Sequence, residues 1–236
     1  MEVFWNSIAE YNAQTWPWQL AFIAVAALFT VLLWVKPMTW VKIATKVLMV
    51  LEALWIAFVY YMKFAGGRDY SNVMTIFWCL VAAAWVYDLA THFSSFQKSG
   101  KYRSWGVLMI LLPLVYPLIS LFRGMTFPQM TTPMLPSAVA LYMLGMLMAF
   151  NRKINFFAFI FIVHWAVIAI SKIVLFNIPE DILLAAACLP AMFIFFKEAV
   201  DSSAEEVGSK PSKPAVKALI LAVTVLIWAC MVIEYV

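Results

Sequence analysis

Residues 43–62 read IATKVLMVLEALWIAFVYYM, twenty positions interrupted only by Lys46 near the start and Glu52 in the middle. A membrane-spanning helix needs about 20 mostly apolar residues. This stretch meets the requirement, and its length and composition recur along the chain. Seven further segments of the same kind are Trp18–Val35, Val73–Phe93, Trp105–Phe122, Leu135–Phe150, Asn155–Phe176, Asp181–Lys197 and Pro214–Glu234. The expected fold is therefore all-α: a polytopic membrane protein of about eight transmembrane helices, forming a single bundle over 18–236. Composition agrees, because 66% of the 236 residues are apolar and 12% charged. An average soluble domain carries about 25% charged residues, so this surface is suited to lipid.

The charges that remain lie in the connections and indicate orientation, since cytoplasmic loops are enriched in Lys and Arg. With the N-terminus outside, one set of connections and helix ends holds Lys36, Lys42, Lys46, Lys98, Lys101, Arg103, Arg152, Lys153, Lys197, Lys210, Lys213 and Lys217. The other side holds Lys63, Arg68, Arg123 and Lys172. That alternation predicts both termini outside. The positive residues form no continuous stripe, which argues against nucleic-acid binding. The expected surroundings are membrane lipid, with a membrane-protein partner or a second copy of the chain as the remaining candidates. No cleaved leader is expected, because no basic segment or small-residue cleavage site accompanies the first apolar stretch.

Residues 1–17 read as a separate element, a Trp-rich interfacial helix on the outer leaflet, with Pro17 suited to the first turn of the next helix. Residues 198–213, rich in Ser, Asp, Glu and Lys, read as a cytoplasmic linker. A shift of 109 positions lays the second, third and fourth helices on the sixth, seventh and eighth, placing Lys63 on Lys172, Cys79 on Cys188 and Lys101 on Lys210. A parallel 4+4 repeat would do this, as in some transporters. So would any two alike hydropathy profiles.

An ionisable side chain at a helix centre costs about 2.5–3.5 kcal/mol on insertion scales, so each such group needs a partner or a polar cavity. Glu52 and His164 each lie nine residues into their helices from the same side, about 14 Å deep at the helical rise, where they could meet. They read as a proton relay or ligand anchor, or as two separately satisfied groups. Asp88 and His92 are four apart, on one helical face, and form an acid–base pair or a helix anchor. Lys172 reads as reaching outward to Glu180 or Asp181. Pro113 and Pro117 must disturb the fourth helix and free carbonyls beside Tyr116. The methionines of the 123–134 loop suggest soft-metal capture or, more simply, apolar filling. Histidine and cysteine spacing gives no metal site, no nucleotide or hydrolase motif is present, and no cofactor or catalytic residue is assigned.

Tyr11-Asn12-x-x-x-Trp16-Pro17-x-Gln19, then Tyr116-Pro117, Gly124, Pro128, Pro136-Ser137, Gly145, Trp165 and Glu180-Asp181 stand in an order that resembles an uncharacterised bacterial multi-pass membrane family, a domain of unknown function. The resemblance covers the chain to about residue 197. It implies a bacterial inner-membrane protein whose motifs gather on the outer face around Tyr11, Asn12, Trp16, Tyr116, Lys172, Glu180 and Asp181. Family members carry a cysteine between two prolines ahead of the fifth helix, where this chain has Thr132-Pro133-Met134-Leu135-Pro136. Three functions fit these readings: a small transporter or permeation pathway built on Glu52, His164, Asp88 and His92; a non-catalytic membrane subunit or scaffold; and an intramembrane enzyme acting on a lipid or quinone-like substrate.

Overall fold

The computed structural model describes residues 2–97, 102–150 and 155–205, the last ten of these by their backbone alone. The chain divides into two compact units, 1–191 and 192–236, and the first holds every group discussed below. Described residues are helical, with α1 at Glu2–Val35, α2 at Thr39–Leu54, α3 at Ser71–Thr91, α4 at Arg103–Leu111, α5 at Tyr116–Phe122, α6 at Pro136–Phe150, α7 at Phe156–Phe176 and α8 at Ile182–Glu205. Among the described residues, five helical segments are long and apolar enough to cross a membrane: Glu2–Val35, Thr39–Phe64, Ser71–Thr91, Arg103–Phe122 and Phe156–Phe176. These are the first, second, third, fourth and sixth of the eight expected spans. The fifth is the 15-residue α6. The seventh begins α8, which continues as helix through residues 198–205, where a linker is expected. The eighth span at 214–234, the rest of the linker, Cys230, Lys98, Lys101, Arg152, Lys153, Lys210, Lys213 and Lys217 lie outside the described residues, and the 4+4 repeat depends on several of them.

No boundary separates residues 2–17 from the first span. The helix runs through Pro17, and its buried positions Phe4, Ser7, Ile8, Tyr11, Thr15, Gln19, Ala26 and Leu33 recur at the three-to-four spacing of a single face. That continuous seam outweighs the missing amide of one proline. At about 1.5 Å per residue the helix is about 51 Å long, well beyond a hydrocarbon core of about 30 Å.

α2 continues into a π-helical segment, Trp55–Phe64, closed by a bond from the Ala65 amide to the Tyr60 carbonyl at 2.8 Å. The fourth span breaks at its prolines as their chemistry requires, passing from α4 through a tight turn at Leu112–Val115 into α5. α4 lies backbone to backbone against α6. A Cβ at Gly106 would collide with the Ala149 nitrogen, and one at Gly145 would fall 2.6 Å from the Ile110 nitrogen. Gly145 and Ala149 are four apart, the small-residue spacing that lets helices approach closely in lipid. Every residue of α6 is buried.

Candidate functional site

Two buried carboxylates, Glu52 midway along the segment that α2 begins and Asp88 near the end of α3, have opposite surroundings. Asp88 receives the Lys46 ammonium at 2.6 Å and accepts bonds from the Ser94 amide and hydroxyl at 3.2 and 2.5 Å. Lys46 also donates to the Asp88 carbonyl at 3.3 Å and lies 5.8 Å from the Phe96 ring. The group is saturated and holds the end of α2 to the end of α3. The expected partner of Asp88, His92, is elsewhere. It follows the last helical residue in a left-handed conformation, φ 53°, and is exposed, so the one-face geometry of positions four apart no longer applies.

Glu52 is 2% exposed, and its Oε2 has no hydrogen-bond partner among the described residues. The three ion pairs among those residues, Lys46–Asp88, Arg123–Glu180 and Lys172–Asp181, leave it out. It stands midway along Thr39–Phe64, about 18–20 Å of helix from either end. Its carboxyl faces a cavity of about 210 Å³ whose other polar groups are Thr30 and Tyr142. Those two hydroxyls lie 3.1 Å apart, and both lie within bonding distance of the Ala26 carbonyl. The remaining wall is aliphatic. Val31, Leu111 and Leu114 line the cavity and are about half exposed, so it opens sideways at the apolar surface between α1 and the α4 turn.

His164 does not join Glu52. Its Nδ1 lies 2.8 Å from the Ile160 carbonyl, one turn earlier on α7. Equal depth along two helices fixes height but not direction around the axis, and Glu52 faces α1, α4 and α6.

A second polar cluster fastens the end of the fold that carries Tyr11. Asn12 donates to the carbonyls of Pro128 and Met130, each at 2.8 Å, while its own oxygen accepts from Gln19 at 3.2 Å and Thr132 at 3.4 Å. Tyr11 donates to the Met134 carbonyl at 3.1 Å and accepts from the Trp55 indole at 2.9 Å. Residues 128–134 are thus stapled to α1, and Pro133 and Met134 wall the Glu52 cavity. The loop's methionines act here through their carbonyls and apolar bulk. Trp16 is half exposed and outside the staple.

Tyr116 is buried, and Thr131 donates to its carbonyl at 3.0 Å. Ser120 receives the Thr131 amide at 3.0 Å and donates to Glu180 at 2.6 Å. Arg123 binds both Glu180 oxygens at 3.1 and 3.0 Å and the Asn177 carbonyl at 2.8 Å. Lys172 is buried and makes the expected pair with Asp181 rather than Glu180. Its Nζ lies 2.7 Å from Asp181 Oδ2, 3.0 Å from Ser137 Oγ and 5.1 Å from the Trp165 ring. Apart from the Tyr116 hydroxyl, which is buried without a hydrogen-bond partner among the described residues, these groups are paired and fasten the helix ends to one another. Arg68, in a connection by sequence, is another such fastening. It is buried, bonded to Ser7 and the Phe4 carbonyl and stacked 4.2 Å from the Phe4 ring. Lys46, near the start of the second expected span, carries no local mark of its pairing with Asp88.

Among these groups, Glu52 is the buried side chain that combines ionisable chemistry, an unpartnered oxygen and open space. A family model described as a family of unknown function (DUF6064) matches residues 1–206, which include all of these positions. No curated protein and no solved structure matches the chain.

Proposed function

We propose, from the premise that the chain belongs to the DUF6064 family of unknown function, that it is a small membrane transporter or permeation pathway whose central group is Glu52. One observation carries this reading: a carboxyl with an oxygen that has no partner among the described residues, midway along a membrane-length helix and facing a cavity. A carboxylate in apolar surroundings is costly unless neutralised. Such a position is therefore suited to alternating between a proton and a cation during permeation. The π-helical segment beginning three residues later supports the reading, because the wider turn loosens helix packing and such segments are frequent at functional sites. The Lys and Arg distribution supports an orientation with both termini outside, and the family resemblance supports a bacterial inner membrane. Asp88, His92 and His164 have no role at this site.

The test uses purified full-length protein in liposomes containing a pH-sensitive dye, with a potassium-diffusion potential to drive proton entry. Entry above that of protein-free liposomes is expected with the wild type, and its loss with Glu52→Gln. Wild-type entry equal to protein-free liposomes, or equal entry in the two proteins, overturns the reading.

A further inference from the structure

We infer that the Glu52 cavity binds a small lipophilic ammonium compound that enters sideways from the bilayer. This deepens the function proposed above and rests on it for its biological sense, though binding is measurable without transport. Charge sets the ligand class. The cavity offers one acidic group and no ion-pair partner for it among the described residues, so the occupant that matches best brings a positive charge with donor hydrogens. Thr30 and Tyr142 already engage each other and the Ala26 carbonyl, which leaves Glu52 as the anchor.

The walls set the rest of the ligand. Apart from those three residues the lining is apolar, which disfavours a hydrated inorganic cation, because its lost water shell would not be replaced. An anion would meet the carboxyl with like charge. Size follows from the volume of about 210 Å³. An apolar cavity of about 150 Å³ accommodates benzene, so this one holds roughly a single ring with a short amine arm.

The route follows from exposure. Val31, Leu111 and Leu114 form the mouth and lie on the apolar surface. The end towards Tyr11 is walled by Pro133 and Met134, in the segment that Asn12 and Tyr11 hold by four carbonyl and hydroxyl contacts. A membrane-dissolved amine therefore reaches Glu52 without passing that loop.

The experiment measures equilibrium binding of 2-phenylethylammonium to the full chain in lipid nanodiscs, beside the neutral 2-phenylethanol and the anionic 3-phenylpropionate. Saturable binding of one amine per chain is expected, with the alcohol at least tenfold weaker and the acid undetected. Glu52→Gln should weaken amine binding at least tenfold while melting no lower than the wild type. Ala27→Trp, placed on the exposed rim of the cavity, should block the amine without touching the carboxyl. Absence of amine binding, equal affinity for amine and alcohol, or full amine binding in either variant overturns the inference. If the amine fails to bind but proton entry still requires Glu52, the ligand class falls and the transport reading stands. If the amine binds and proton entry is at the protein-free level, the site stands and transport falls.

Discussion

Replacing Glu52 with methionine should make the protein more stable. The carboxyl is 2% exposed, and one of its oxygens has no partner among the described residues. A buried polar group left unsatisfied costs about 1–3 kcal/mol. Methionine removes that cost, is nearly the same length and adapts to irregular space, and the adjoining cavity leaves room for its thioether. The expected gain is therefore about 1–3 kcal/mol, since the change breaks no side-chain hydrogen bond described for Glu52. Unfolding in mixed detergent–SDS micelles, followed by tryptophan fluorescence, measures it, with Leu51→Met at an exposed neighbouring position as the control. A loss above about 1 kcal/mol in Glu52→Met, with the control unchanged, would show that the carboxyl makes a structural bond and would refute the reasoning. The expected sign is the signature of a residue retained for activity at the expense of the fold.

The opposite sign is expected at Asp88. Lys46→Met should destabilise by about 3–5 kcal/mol, because it strands a fully buried carboxylate, while the double variant Lys46→Met/Asp88→Leu should recover most of the loss in the same assay. Asn12→Ala leaves the Pro128 and Met130 carbonyls without their donor, for a loss of about 2–4 kcal/mol and faster proteolysis within residues 124–134; cleavage at the wild-type rate would contradict the staple. Gly145→Ala drives a methyl to 2.6 Å from the Ile110 backbone, for a loss of at least about 1–3 kcal/mol by thermal melting; an unchanged melting temperature would mean that α4 and α6 are not in backbone contact.

Sequence disclosed what is local. Apolar runs gave the helices, and Pro113 with Pro117 gave the break before α5. It concealed what depends on rotation about a helix axis or on long separations in the chain. The height of Glu52 and His164 could be counted, but their facing directions could not. Asn12 meets residues well over a hundred positions away, and nothing in its own neighbourhood announces them. Lys46 carried a faint signal: it lies near the start of α2 and Asp88 near the end of α3, so an antiparallel pair brings them level. The place of Lys46 among the other Lys and Arg residues of that side obscures the pairing. The proline-marked start expected at residue 17 failed because α1 has a continuous buried seam that local rules do not register.

The enclosure of α6 bears on how the protein is made. Each of its 15 residues is covered by other parts of the chain, so in the finished molecule no lipid touches it. Ribosomal synthesis delivers it after α1 to α5 and before α7. Newly made α6 has α4 to pack against at once, whereas its contact with α7 waits for that helix to be made. Chains halted before residue 156 should strand α6 against lipid and be preferred substrates of membrane quality-control proteases.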